Sequence, residues 1–344
     1  MSGSAAASAL VTGGCGFIGR HLTKLLVQRG YKVRVLDLQD WPNAPAGVDI
    51  CQGSILDAGM VADAVQGVDV VFHLAANPNL WAPDPQTFHD VNYEGTCRVL
   101  EASANARVPR IVYTSTESIL KNVRAPNGSV AALIDESVEL GLDDVSGAYC
   151  RSKLLAESAA RRAAKNGLPV VIVNPTMPVG PGDGLITPPT RMLLGFLNGA
   201  TPAYLECEFN LVDARDVAMG HLLAAQKGRI GERYILGGEN LALGHMLDML
   251  RDMTGLPIAR FRVPYTLAFL VSAVSEGIAR LTKRPPVAPL TGVVLARSSM
   301  AFDCRKARRE LGWGCRPLRQ SLMDTVLDLQ SRGLLRRSLQ PQLA

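Results

Sequence analysis

From residue 8 onward, short apolar runs rich in Val, Ile and Leu alternate with longer stretches whose apolar residues recur every three or four positions. The runs at 8–12, 32–36, 68–74, 110–115 and 170–174 are too short for core helices, which predicts buried strands. Between them, 17–29, 57–65, 87–105 and 149–165 carry helical spacing. This βαβα succession predicts an α/β fold, a doubly wound parallel sheet with helices on both faces and right-handed crossovers.

The pattern changes after Pro175. Pro175, Pro178, Pro181, Pro188 and Pro189, interleaved with Gly180, Gly182 and Gly184, predict a loop-rich segment, because these residues remove backbone donors or permit φ > 0. One more apolar run at 232–236 reads as a strand returning to the sheet, and helical spacing dominates the rest. The expected organisation is a first domain made of 1–175 and about 211–239, interrupted by a smaller, mainly helical domain made of 176–210 and 240–335.

The first strand runs into Thr12, Gly13, Gly14, Cys15, Gly16, Phe17, Ile18 and Gly19, and then a helix. Gly13 permits a tight turn, Gly16 lets backbone N–H groups approach a pyrophosphate, and Gly19 lets helix pack on strand. The helix N-terminus favours the anion. An ordinary glycine-rich turn would also fit the triad, but its position opening the first βαβ unit points to a dinucleotide in a Rossmann arrangement. Asp37 ends the second strand, where a carboxylate can accept from ribose hydroxyls or merely cap a turn. A 2′-phosphate would meet like charge there, so NAD is expected over NADP, with Arg20 and Arg34 as the residues that could offset a phosphate.

Tyr149 and Lys153 stand four apart at the start of a helix and so share a face. A free phenol has a pKa of about 10, and a fixed ammonium beside it favours phenolate, bringing it nearer a useful acid–base range. Thr116, with Ser115 beside it, is the hydroxyl expected to hydrogen-bond a reacting oxygen at the end of the fifth strand. Both could instead satisfy backbone groups there.

In these features the chain resembles the extended short-chain dehydrogenase/reductase superfamily. The resemblance rests on the loop from Gly13 to Gly19, on His73, Leu74, Ala75 and Ala76, and on Asn92, Glu94, Gly95 and Thr96. It is completed by Tyr113 to Thr116 and by Tyr149 with Lys153. It implies that Tyr149 is the general acid/base, that Lys153 orients the nicotinamide ribose and depresses the Tyr pKa, and that Thr116 polarises the substrate oxygen. It further implies cofactor contacts at Gly13, Gly16, Phe17, Ile18, Gly19, Asp37, Ser54, Ile55, Leu74, Ala75, Ala76, Tyr149, Lys153 and Pro175, no metal, and a homodimer. Leu80 to Pro85, Asn174 to Asp183 and Gly228 to Asn240 resemble more narrowly the hopanoid-associated sugar epimerase group, near the dihydroflavonol reductases and hydroxysteroid dehydrogenases. The chain departs from the relatives' pattern in three places: the fifth strand ends in Thr116 followed by Glu117 where the group reads Tyr-Thr-Ser-Ser, Ser54 stands where many carry an adenine-contacting Asp, and Asp37 departs from the basic residue of NADP users.

Substrate class turns on charge. Sugar-nucleotide enzymes neutralise a diphosphate, yet the segment before 209–212 reads Glu206, Cys207, Glu208, a poor anion site unless Arg191 or Arg215 approaches from elsewhere. A ketone reductase or alcohol dehydrogenase on a bulky, lipid-like or polycyclic substrate is therefore expected ahead of a nucleotide-sugar epimerase or dehydratase. Glu117 supports the latter pair, since dehydratases of this superfamily carry an acid after the Thr; otherwise it is a solvated loop residue. A non-catalytic NAD-binding regulator would keep the glycine loop but often lose the Tyr–Lys pair.

Composition narrows this further. The 344 residues are 47% hydrophobic and 19% charged, too apolar for disorder, and a net charge of +5 spread along the chain does not indicate nucleic acid. Seven scattered cysteines without a CxxC pair suit a reducing compartment. The first eight residues lack the basic and apolar regions of a signal peptide, and no apolar run reaches the ~18 residues of a membrane span, so a cytoplasmic protein is expected. Within 261–284, Leu267, Phe269, Leu270, Val271 and Val274 lie between basic ends. This segment either packs the second domain's core or makes peripheral contact with a membrane that presents the substrate.

Overall fold

The computed structural model describes residues 6–120, 133–286, 288–298, 300–337 and 339. Residues 1–5, within the stretch read above as no signal peptide, lie outside the described residues. Seven strands form one parallel sheet: β1 (Ser8–Thr12), β2 (Lys32–Asp37), β3 (Val48–Gln52), β4 (Val70–His73), β5 (Ile111–Thr114), β6 (Val170–Pro175) and β10 (Arg233–Leu236). Their order is β10-β6-β5-β4-β1-β2-β3, so the winding reverses between β1 and β4. The run at 232–236 does return to the sheet, pairing Arg233 with Ile172 in parallel. β3 was not expected, because its sequence Val-Asp-Ile-Cys-Gln keeps a half-exposed edge and carries no continuous apolar run.

Helices cover both faces. α1 (Phe17–Gln28) and α7 (Ala214–Lys227) bury Leu22, Leu26, Val217 and Leu222 on one side. On the other, α2 (Ala58–Ala64), α4 (Gly95–Asn105) and α5 (Gly147–Lys165) bury Val61, Val99, Leu100, Ala156 and Ala160. The helix expected over 87–105 is not continuous: the short α3 (Gln86–Phe88) leads into a π-helical turn, His89–Glu94, before α4. Such turns frequently sit at functional sites, and this one carries the fully buried Asn92.

The rest is built on β7 (Met177–Val179), β8 (Ala203–Tyr204), β9 (Glu208–Asp213), β11 (Glu239–Ala242) and β12 (Phe261–Arg262). These form a three-stranded sheet, β11-β9-β7, and a two-stranded one, β12-β8. α6 (Pro188–Leu197), α8 (Leu243–Thr254) and α12 (Leu318–Ser331) pack Leu193, Phe196, Met246, Leu250, Leu322 and Val326 into a second core. α11 (Arg305–Leu311) instead joins the first core, with Trp313 donating to the Asp216 carbonyl at 2.8 Å. α9 (Tyr265–Thr282) and α10 (Leu290–Leu295) form a pair at the surface. α9 buries only Ser272 and Ala279, so it does not supply the second core.

Candidate active site

The expected residues gather at the carboxyl ends of the strands, where open α/β sheets bind ligands. Gly13 has φ +72°, and a Cβ there would lie 2.7 Å from the Ala75 nitrogen, so only glycine fits between β1 and the end of β4. A Cβ on Gly19 would collide with the Gly13 carbonyl, which is how helix and loop come so close. α1 has no side-chain cap and no acidic residue in its first turn, leaving its N-terminal N–H groups for an anion. Phe17 is buried edge-on to His21, their ring centres 5.7 Å apart, and Ile18 packs on the sheet core, so neither competes for that space. This cradle fits a dinucleotide pyrophosphate.

Asp37 does more than end a strand. Its carboxylate accepts from the Cys15 N–H (2.9 Å) and the Gln39 N–H (3.0 Å), tying the glycine loop to β2. Arg34 is not available to a 2′-phosphate, because it pairs with Asp49 at 3.1 Å and donates to the carbonyls of Asp63, Ala64 and Gln66. Arg20 stays beside the loop, donating to the Cys15 carbonyl at 2.9 Å with its guanidinium 5.0 Å over the Trp41 ring. Leu74 continues the β1 ladder by donating to the Thr12 carbonyl at 3.0 Å, and Ala75 and the half-buried Ala76 follow it beside Gly13. Ser54 accepts from the Leu56 N–H at 3.1 Å, Ile55 is buried against Gly95, and Pro175 ends β6 beside Leu236.

His73 in this wall has both ring nitrogens satisfied. Thr96 donates to the Asn92 carbonyl (2.7 Å), so it accepts from His73 Nε2 (2.9 Å) and leaves Nδ1 to accept from Thr12 (2.7 Å). Burial, and next the Lys153 charge, pull the imidazole pKa down to about 3, so this histidine stays neutral.

α5 brings Tyr149 and Lys153 to the end of β5. Lys153, almost fully buried, donates to the Thr114 carbonyl at 2.7 Å and sits 4.8 Å over the Tyr113 ring. Burial lowers its pKa to about 8, and the Glu157 charge one turn on holds it up. Tyr149 is half-buried, its ring 6.2 Å from Phe88. Burial and the Glu117 carboxylate push the phenol above its ordinary value, while the adjacent Thr116 hydroxyl pulls it down. Lys153 was expected to lower the Tyr149 pKa; here its ammonium is engaged by Thr114 and burial prevails.

Glu117 is not a solvated loop residue. It is half-buried, accepts from Thr116 Oγ1 at 3.0 Å, and burial raises its pKa to about 7. Thr116 also accepts from the Ser118 N–H at 3.2 Å, capping the short helix Glu117–Ile119. Ser115 Oγ is buried with no hydrogen-bond partner among the described residues.

Five residues given no role from sequence complete the site: Asn92, Ser152, Glu157, Asn174 and Arg233. Asn92 accepts from the Asn77 N–H (2.7 Å) and donates to Ser152 Oγ (3.0 Å), which donates to the Tyr149 carbonyl (2.7 Å). Glu157 accepts from Asn174 (2.8 Å) and Arg233 (3.1 Å), and Asn174 also donates to the Thr116 carbonyl (3.1 Å). One signal was readable: Glu157 repeats the four-residue step from Tyr149 to Lys153.

The family model described as "NAD dependent epimerase/dehydratase family" matches residues 9–237, two thirds of the chain. The chain belongs to this family. It is an NAD(P)-dependent reductase/dehydrogenase of the extended short-chain group. It is 37% identical to a "putative dihydroflavonol 4-reductase" of Synechocystis sp., covering 95% of each chain. It is 31% identical to "sterol demethylase protein B" of Methylococcus capsulatus, covering 95% of this chain and 99% of that one. The solved structure of gox2253 superposes with a TM-score of 0.81 at 34% identity, covering 96% of this chain and 99% of that one.

Proposed function

We propose that the protein interconverts a ketone and a secondary alcohol on a bulky, apolar, lipid-like or polycyclic substrate. One observation carries this reading: the Tyr149 phenol lies against the Thr116 hydroxyl while Lys153, one turn along the same helix, reaches the end of the same strand. The nicotinamide cofactor, when bound, supplies or takes the hydride. In the reducing direction Tyr149 gives its proton to the substrate oxygen, and Thr116 donates a hydrogen bond to that oxygen, with Ser115 beside it. For that, Thr116 must turn from Glu117, its present acceptor. Lys153 holds the cofactor's ribose, and its charge then favours phenolate for the reverse step. Asp37 accepts from the adenosine ribose hydroxyls, which favours NAD; Arg20 is the residue that would meet a 2′-phosphate.

Charge supports the substrate class. Arg215 is committed to Asp213 (2.7 Å) and Asp324 (2.6 Å), and Glu206 accepts from the Gly244 N–H at 3.0 Å and pairs with Arg262. Arg215 and Arg262 are thus both held in ion pairs and are poor ligands for a nucleotide diphosphate. The substrate region is 176–210 with 240–335, the protein forms a homodimer, and it works in the cytoplasm with peripheral membrane contact through 261–284. A second reading, epimerase or dehydratase, rests on Glu117, whose raised pKa suits abstraction of a proton beside a carbonyl. Incubation with NADH and a ketone panel decides between them: cofactor oxidation is expected, and turnover of a nucleotide sugar without net oxidation would replace the first reading by the second.

A further inference from the structure

Hydrophobic side chains of α9 point the wrong way for a core helix. Leu267, Leu270, Val271, Val274, Ile278 and Leu281 recur at steps of three and four and form one stripe, and every one of them is exposed, Leu281 by 86%. The opposite face carries the buried Ser272 and Ala279 and the half-buried Glu276, which pairs with Arg280 and accepts from the Leu290 N–H at 3.0 Å. The stripe therefore faces away from the protein. A continuous apolar stripe in water marks an interaction surface rather than a scatter of single residues.

Charge identifies what covers it. Between 260 and 284 stand Arg260, Arg262, Arg280, Lys283 and Arg284 against the single carboxylate Glu276; Arg262 pairs with Glu206 and Arg280 with Glu276, which leaves Arg260, Lys283 and Arg284 without an ion pair among the described residues. The cations cluster at the two ends of the stripe, the arrangement of a helix lying flat in an anionic lipid surface. No helix among the described residues is long and apolar enough to cross a membrane, so the contact is one of lying on.

The same helix pair reaches the catalytic helix. Thr291 of α10 packs directly on Gly147, two residues before Tyr149. Leu80, in the loop after β4, approaches Gly292, and Lys283 donates to the Pro83 carbonyl at 3.4 Å. We infer that α9 docks flat on an anionic bilayer and, with α10 behind it, forms the entrance through which a membrane-dissolved ketone reaches Tyr149. This deepens the membrane contact proposed for 261–284 and rests on the proposed reductase activity only for the substrate.

The test is co-sedimentation of the full chain with vesicles of phosphatidylcholine containing about one third phosphatidylglycerol, beside pure phosphatidylcholine. Binding to the anionic vesicles is expected at low salt, weakened about tenfold or more by Lys283→Glu with Arg284→Glu, by Leu270→Ser with Leu281→Ser, and by high salt. Both variants change exposed residues, and an unchanged circular dichroism spectrum shows that they fold. Tyr149→Phe should bind vesicles like the parent, which separates failure of docking from failure of the reductase reading. For a long-chain ketone carried in the vesicles, the docking variants should raise the apparent KM about tenfold, and Leu270→Ser with Leu281→Ser, which changes only the outward stripe, should leave turnover of a short soluble ketone unchanged. Equal binding by parent and variants, no binding at low salt, or a dimer dissociated by Leu270→Ser with Leu281→Ser in place of vesicle binding would overturn the inference. The last outcome would give the stripe to a second copy of the chain.

Discussion

At the ends of β4, β5 and β6, polar and charged side chains lie inside; on α9, large apolar ones lie outside. Both reverse the usual distribution, and they do it differently. Inside, the reversal is made tolerable by partners: His73 has a hydroxyl on each ring nitrogen, and Glu157 has Asn174 and Arg233. Buried polar groups cost little when satisfied and much when one partner is removed. On α9 no partner among the described residues covers the stripe, so its apolar surface remains available. A closed network holds fixed chemistry in place, whereas an open face accommodates something that arrives from outside.

The sharpest way to break this contrast is at the reacting atom. Tyr149→Phe should slow hydride transfer by about 10²–10⁴-fold in single-turnover measurements with NADH. A loss below threefold would move the proton to Glu117. Next in size is the buried network: Arg233→Ala removes the ion-pair partner of the buried Glu157 and should cost about 3–5 kcal/mol in urea unfolding.

Glu117 gives a pH signature. Its pKa is raised from 4.5 to about 7 in the folded chain, so it opposes folding increasingly as pH rises from about 4.5 and is fully ionised only above about 7. Glu117→Gln should therefore raise stability by about 1–3 kcal/mol at pH 8 and by little at pH 4. The ionised carboxylate also holds the phenol proton on Tyr149, so the same variant should speed alcohol oxidation above pH 7. Asp37→Ala should narrow the NADH over NADPH preference about tenfold by calorimetry, since it removes the ribose acceptor and loosens Cys15. The smallest effect belongs to the open face: Leu270→Ser should change unfolding free energy by less than about 0.5 kcal/mol, against the 3–5 of Arg233→Ala.

Much of the inner region was legible from sequence because its signals are local. Strand runs, the glycine loop and the four-residue step from Tyr149 to Lys153 each depend on a few neighbouring residues and a fixed backbone period. Continuous apolar runs announced β1, β4, β5 and β6, while β3 carried none and escaped notice. The π-helical turn at His89–Glu94 was hidden because one extra residue in a turn leaves the spacing nearly unchanged.

Long-range placement was decided only in three dimensions. Arg34 could be named as a phosphate ligand until Asp49 and three carbonyls were found around it. Glu117 could equally have been solvated, and only packing made it a half-buried acid bonded to Thr116. Likewise the periodicity of α9 showed an apolar stripe with basic ends but not the direction it faces, since amphipathic spacing is the same whether the stripe meets a core or leaves it. Local geometry follows from neighbouring residues; burial, charge pairing and facing depend on segments as much as two hundred positions away, such as Lys283 on Pro83.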